Sequence, residues 1–422
     1  MMGDRHFEYT IIKEKTNKLN FDLFCVDIYG LLDRENIYSY NDDTERFTAF
    51  QIAVTDWVSK WEHKPDVVHV HDHHTGLIPF MMKHCFAYQH LSSISTVITI
   101  HNAQYQGWMG WDKSNYLPAW DTWQWGLLDW NNMINPLACG VKCADRVTTV
   151  SPSYMDELMG SANGLEQLFS MEQAKCTGIL NGIDTVVWNP ETDTYILDNF
   201  SIKDAEAGKL LNKKKLCKDF KLDVKKPLFI YIGRLVGEKA ADLLPQAITD
   251  SLHQLQGKMN FLILGSGDPV VEAQLANLNN NFAGYYNSKI GYNEKLSHQM
   301  YAGADFILMP SRVEPCGLNQ MYAMRYGTIP IVRSIGGLKD TVIDFGEPGG
   351  YGIRFNHASV WDITYSVHRA VELYDDKEKL TEIRNQIMKI DNSWEISAEK
   401  YIDLYISTQP TKISTQPTKK AI

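Results

Sequence analysis

Short apolar runs alternate along the chain with longer stretches in which apolar side chains recur every three or four positions. The first pattern marks buried strands and the second amphipathic helices, so their alternation predicts an α/β protein. Strands are predicted at residues 21–29 (FDLFCVDIY), 66–71 (DVVHVH), 95–100 (STVITI) and 145–150 (DRVTTV). A helix is predicted over 46–61, with Phe47, Phe50, Val54, Trp57 and Trp61 on one face, and another over 75–85. Ser151 is placed to N-cap a further helix, with Pro152 at its first position. Ile179 and Leu180 lead into the turn Asn181-Gly182-Ile183-Asp184.

From about residue 203 to 226 the chain becomes lysine-rich and poor in aromatics, and the αβ rhythm then restarts. Strands are expected at 228–232, 261–264, 282–286, 306–309, 328–332 and 352–355. Two such runs predict two doubly wound, Rossmann-like domains facing a central cleft, one spanning 1–200 and the other 201–390. Residues 391–407 are set apart as a last segment, and 408–422, which takes in most of the tandem repeat ISTQPTK (406–419), read as a disordered tail.

At 422 residues the chain is too long for one core. Its net charge of −10, without a basic tract, excludes a nucleic-acid binder. No apolar run reaches the ~18–20 residues of a membrane helix, and the opening lacks a signal-peptide core. Seven scattered cysteines make no disulfide framework, and Cys139/Cys143 lack a second pair for a zinc site. The expected setting is cytoplasmic.

Candidate chemistry gathers just after strands, where open α/β sheets bind ligands. The segment His69-Val70-His71-Asp72-His73-His74 admits three readings: metal site, polar cleft lining and strand-end packing. Alternation leaves only His69 and His71 on one strand face, which speaks against metal. In His101-Asn102-Ala103-Gln104-Tyr105-Gln106-Gly107 the polar groups can bind hydroxyls or satisfy their own turn. Six of the eleven tryptophans follow between 108 and 130, suited both to packing and to stacking on sugar rings. Arg234 and Lys239 suit a diphosphate, although a surface ion pair weighs equally. Leu264-Gly265-Ser266-Gly267-Asp268 has Val270 where a dinucleotide fingerprint needs its third glycine, and fails as one. The strongest segment is Met309-Pro310-Ser311-Arg312-Val313-Glu314-Pro315-Cys316-Gly317-Leu318, leading into a helix that stops at Gly327. Amides at that helix start form an anion site, which leaves Glu314 to accept hydrogen bonds from an attached sugar. A second turn of this type is Gly336-Gly337-Leu338.

Together these residues resemble the bacterial glycogen and starch synthase family, ADP-glucose-dependent transferases of GT-B architecture. The matching motifs are HVHDHHTGL, HNAQYQG, VSPSY, LNGID, GRLVGEK, LGSGDP, IGYNE, ADFILMPSRVEPCGLNQ and RSIGGLKDTV, in the family's order from about residue 21 to 405. The resemblance implies that Arg234 and Lys239 hold the donor diphosphate and that Glu314 orients the transferred glucose. Cys316, Gly317 and Leu318 would present amides, and His101 and Asn102 sugar-facing contacts. Asn181 would face the donor sugar, Tyr292 lie near the adenine and Asp72 line the cleft. The final helix would cross back onto the first domain.

Ala240 replaces the family's usual glycine after the lysine, and Ile335 a threonine before the double glycine; both are expected to be tolerated. The family opens with a strand and a lysine-plus-double-glycine loop that grips the donor phosphates, and no such segment precedes Phe21. The expectation is a truncated first domain, short of a βα unit of about 30 residues, and little synthase activity in the chain as it stands. The activity implied is retaining transfer of glucose from ADP-glucose to the non-reducing end of an α-1,4-glucan such as glycogen, with no cofactor and no metal. The alternatives are a catalytically impaired glucan- or nucleotide-binding remnant and another GT-B glucosyltransferase using a different nucleotide sugar.

Overall fold

The computed structural model describes residues 2, 3, 5–16 and 19–409; most of the tail repeat lies outside the described residues. The chain divides into two compact units. One comprises Met1–Thr149, Met155–Thr177 and the chain from Lys400; the other comprises Val150–Tyr154 and Gly178–Glu399.

In the first unit, β1 (Thr10–Lys13) and β2 (Phe24–Asp27) form an antiparallel ladder of their own. The run around Phe24 therefore lies outside the parallel sheet. That sheet has the order β3 (Val67–His71), β4 (Ser95–Ile100), β5 (Arg146–Thr149) and β6 (Cys176–Gly178), with β3 at its edge. Strand β4 is buried along almost its whole length, as its unbroken β-branched run requires. The long helix Asp43–Ser59 covers all but the last two residues of the predicted stretch, whereas 75–85 breaks into Asp72–Thr75 and Ile78–His84 around Gly76. Gly76 is irreplaceable there, because a Cβ would lie 2.3 Å from the Pro136 carbonyl oxygen.

A parallel six-stranded sheet forms the second unit: β7 (Leu228–Ile232), β8 (Asn260–Gly265), β9 (Tyr286–Ile290), β10 (Phe306–Met309), β11 (Ile329–Arg333) and β12 (Ile353–Phe355). Its spatial order is β9-β8-β7-β10-β11-β12, the doubly wound arrangement that reverses beside the first strand. The third strand lies later than the run 282–286. Residues 282–285 form turns, with Gly284 at φ +91°, and the edge strand YNSKI is too polar to stand out.

The unit boundary falls at 177/178 rather than near 200. Residues 178–200 look linker-like, but their aromatic and acidic side chains belong to the second unit. Trp188 is stacked between His298 and Tyr322, Asp193 accepts hydrogen bonds from Tyr326 and pairs with His298, and Phe200 enters the core. The lysine-rich stretch after it is likewise no surface linker. It forms helix Ala205–Phe220, in which Lys209 and Lys213 are buried. Lys209 Nζ donates to the carbonyls of Tyr301, Ala302 and Tyr326 and to Thr328 Oγ1, gathering the ends of two helices. Burial draws its pKa well below the ordinary lysine value. Asp305 accepts from Lys213 Nζ (2.6 Å), Arg384 Nη2 (2.5 Å) and the Leu228 amide (2.8 Å). Burial pushes this carboxyl up, but Lys213 and Arg384 hold it below the usual carboxylate value.

Helix Trp394–Thr408 begins in the second unit and continues in the first, where Tyr405 bonds His69 and the last carbonyls meet Ser95 and Arg146. Asp305→Asn keeps the shape and removes the charge, leaving Lys213 buried without a carboxylate and Arg384 with Glu206 alone. It is expected to destabilise the protein by about 3–5 kcal/mol in urea unfolding.

Candidate functional site

The candidate residues form two groups, one in each unit. In the second unit the loops after β7, β10 and β11 touch one another through backbone. The loop after β7 turns at Ala240, which is left-handed (φ +53°, ψ 33°) and fully buried. The Glu238 carbonyl accepts from the amides of Arg312 (2.7 Å) and Val313 (3.2 Å), which pins this loop to the one after β10. Lys239 Nζ thereby reaches Glu314 Oε2 at 2.6 Å, and Ser311 Oγ donates to the same oxygen at 2.9 Å. Glu314 is almost fully buried, whereas Arg234 is largely exposed and paired to Glu238 at 3.1 Å.

The helix after Glu314 starts later than its sequence suggests. It spans Asn319–Arg325, because Gly317 adopts φ +71° and ends helical geometry there. Cys316, Gly317 and Leu318 therefore form a turn ahead of the helix. Burial pushes the Cys316 thiol up to about 12, so it is protonated at neutral pH and not a nucleophile. Gly336 and Gly337 lie against this turn: a Cβ on Gly336 would sit 2.1 Å from the Glu314 carbonyl oxygen, and one on Gly337 2.2 Å from that of Cys316. The glycines of Leu264-Gly265-Ser266-Gly267 serve the same purpose, meeting the Gly233 and Leu235 carbonyls.

Beside these loops is a cavity of about 340 Å³ beyond the carboxyl ends of β7, β8 and β9. Arg234 and Asn319 line it, Trp188 and Tyr322 supply aromatic walls, and the exposed Tyr292 stands at its rim. Its walls are mainly apolar and aromatic with several polar side chains among them, as in small-molecule sites. The backbone N–H of Asn181 is directed at the Cys316 sulfur. Two serines of the VSPSY motif tie into this region. Ser151 Oγ donates to the Pro315 carbonyl at 2.5 Å, and Ser153 donates through its amide and hydroxyl to Asp340 at 2.8 and 2.6 Å. Ser151 also caps its helix through the Tyr154 amide, as expected.

In the first unit the histidines separate into two sets. His69 and His71 stack with ring centroids 4.5 Å apart, and His71 Nδ1 lies 3.0 Å from His101 Nε2. His69 is held by Tyr405 and by Thr99, which meets Thr148 on the next strand. His73 and His74 turn the other way, against Phe47. Among the described residues no group of three His, Cys, Asp or Glu side chains is placed to hold a metal ion. Asp72 is left-handed (φ +56°), a conformation costing a side chain about 1–3 kcal/mol, and its carboxylate accepts the His101 amide at 2.8 Å. Asn102 accepts from the Gln104 amide, and Gln106 is spent on buried backbone. Of the tryptophans, Trp111 and Trp130 donate to protein acceptors, while Trp123 and Trp125 are exposed.

A family model described as starch synthase catalytic domain matches residues 2–171, and one described as glycosyl transferases group 1 matches 212–385. A glycogen synthase of Flavobacterium johnsoniae is 55% identical over 96% of this chain and 85% of its own length. A glycogen synthase of Streptococcus sanguinis is 39% identical over 91% of this chain and 82% of its own. Among solved structures, the catalytic domain of starch synthase IV from Arabidopsis thaliana, bound to ADP and acarbose, matches with a TM-score of 0.87 at 31% identity, covering 96% of this chain and 86% of that one. Sucrose-phosphate synthase of Thermosynechococcus elongatus matches over 91% of this chain and 83% of its own, with a TM-score of 0.59 at 18% identity, and shares the fold.

Two stability measurements test this description. Gly336→Ala has no room for its methyl group and is expected to cost about 2–4 kcal/mol. Ala240→Gly is expected to change stability by less than about 1 kcal/mol. Relief of left-handed strain (about 1–2 kcal/mol) is offset by a lost buried methyl (about 0.8) and a freer unfolded chain (about 0.4–1). Burial lowers the histidine pKa values, to about 3 for His69 and about 4 for His73. Unfolded, these rings titrate near ~6.5, so below that pH the unfolded chain binds more protons. Stability should therefore fall as the pH drops from about 6.5 toward 4, and His69→Gln should flatten that slope in urea titrations.

Proposed function

The chain belongs to the bacterial glycogen and starch synthase family, and we propose that it transfers glucose from ADP-glucose to the non-reducing end of an α-1,4-glucan with retention of configuration. The observation that carries this reading is the meeting of Lys239 and Glu314 beside the nucleoside-sized cavity that Arg234 lines. Arg234 and Lys239 take the diphosphate, one as a fork and the other as a point charge. The nucleoside enters between the aromatic walls, with the base toward Tyr292. Lys239 and Glu314, paired at 2.6 Å, meet the donor together, the lysine at the phosphates and the carboxylate at the hydroxyls of the glucose. The amides around Cys316, Gly317 and Leu318 face the same anion and Asn181 the sugar; in the first unit, His101 and Asn102 are the sugar-facing groups.

In the reaction, the bond from the anomeric carbon to the diphosphate oxygen breaks and one to the acceptor 4-oxygen forms on the same face. The acceptor proton passes to the departing phosphate. No side chain need form a bond to the sugar, and no cofactor takes part. The protein stabilises the leaving charge with groups already fixed in place. The family is consistent with a cytoplasmic setting, and no helix among the described residues is long and apolar enough to cross a membrane.

The assay is incorporation of labelled glucose into glycogen from ADP-glucose, with UDP-glucose in parallel. Arg234→Ala and Lys239→Ala are each expected to lower turnover by about 10²–10³, and Glu314→Ala by at least as much, with circular dichroism showing all three folded and the melting temperature of the exposed Arg234→Ala near that of the parent. Parent-like turnover in all three variants would refute the assignment.

A further inference from the structure

We propose that His71 is a positioning residue that, with Asp72, fixes the orientation and tautomer of the His101 ring. This deepens the proposed function, since it rests on His101 being a sugar-facing group.

The argument starts from register. Strands β3 and β4 are parallel, with His71 opposite Thr99, so His101 lies one side-chain period beyond on the same face. Two consecutive residues at the end of β3 then take hold of it separately. Asp72 accepts the His101 backbone amide at 2.8 Å, and His71 Nδ1 meets His101 Nε2 at 3.0 Å. The carboxylate reaches the amide from a left-handed backbone that a side chain rarely adopts (φ +56°). A strained residue beside a candidate site, bonded to the next strand's first loop residue, points to a function for the strain.

His71 is itself restrained. Its ring stacks on His69 at an interplanar angle of 23°, and His69 is fixed at both nitrogens by Tyr405 and Thr99. Titratable groups around the pair are His69 and Asp72 from the same strand end and Tyr401 and Tyr405 from the terminal helix. A hydrogen bond between two neutral imidazoles carries one proton. If His71 donates, His101 must keep its own proton on Nδ1; if His71 accepts, His101 Nδ1 must hold a lone pair. Either way the outer edge of His101 has one defined character toward a ligand, and its ring cannot flip without breaking the bond.

The test uses the full chain labelled with ¹⁵N-histidine, with ring nitrogens read by long-range ¹H–¹⁵N correlation and His101 assigned by its loss in His101→Gln. Wild type is expected to show His101 as a single tautomer. His71→Ala should move its two nitrogens toward the averaged shifts of free imidazole. His71→Asn, whose amide can stand near the Nδ1 position, should restore much of the difference. In the transfer assay His71→Ala is expected to lower kcat by about 10–100-fold, as loss of an orienting partner does elsewhere, with KM for ADP-glucose within about twofold. An averaged His101 ring in wild type, or ring signals unchanged in His71→Ala, would overturn the proposal. Ring signals that respond to His71 while His101→Gln transfers glucose normally would uphold the clamp and refute the sugar-facing reading of His101 instead.

Discussion

Contact between one backbone and another, with no side chain between, sets the geometry of the second unit's ligand edge. At Gly336, Gly337, Gly265 and Gly267 a Cβ would stand between 2.1 and 2.4 Å from a carbonyl oxygen of the neighbouring loop. Such contacts have little play, because moving either chain away leaves a void and moving it closer is a clash. Glu314 therefore takes its position from the loop after β11 as much as from its own strand. Lys239 in turn takes its position from Glu238, whose carbonyl receives two amides of the Glu314 loop. The charged groups can be held in place without help from a ligand, which is what preorganised electrostatic stabilisation requires.

Much of this was legible in the residue order. Strands β4, β7 and β10 fall where their apolar runs place them, because buried parallel strands are nearly unbroken in Val, Ile, Leu and Phe. Strand β9 was not legible, since an edge strand with a polar face carries a weak signal and aromatic Phe282 and Tyr285 drew the assignment forward. Gly265 and Gly267 look like phosphate-loop glycines because close approach to a phosphate and to a carbonyl ask the same thing of the chain, a missing Cβ. The pairings Lys239–Glu314 and His71–His101 join residues 75 and 30 positions apart, and motif spacing within one loop carries no trace of them.

Buried charge was the least legible feature. The run KLLNKKKLCK has the composition of a solvated surface, yet Lys209 and Lys213 face inward. What distinguishes them is four carbonyl and hydroxyl oxygens in one case and a carboxylate in the other, all supplied from distant sequence. The boundary near residue 200 was misplaced for a related reason, since a stretch without helix or strand reads as a connector until its packing partners are known.

The terminal helix gives the order of synthesis an unexpected importance. The first unit is translated first, but His69 on its edge strand waits for Tyr405, 336 residues later, and Ser95 and Arg146 wait for the carbonyls beside it. At about 5–20 residues per second that interval is roughly 20–70 s. The second unit meanwhile has its strands in hand by Phe355. The half of the molecule that leaves the ribosome first is thus the half completed last, and His69, Ser95 and Arg146 lack these partners while the other half is being made.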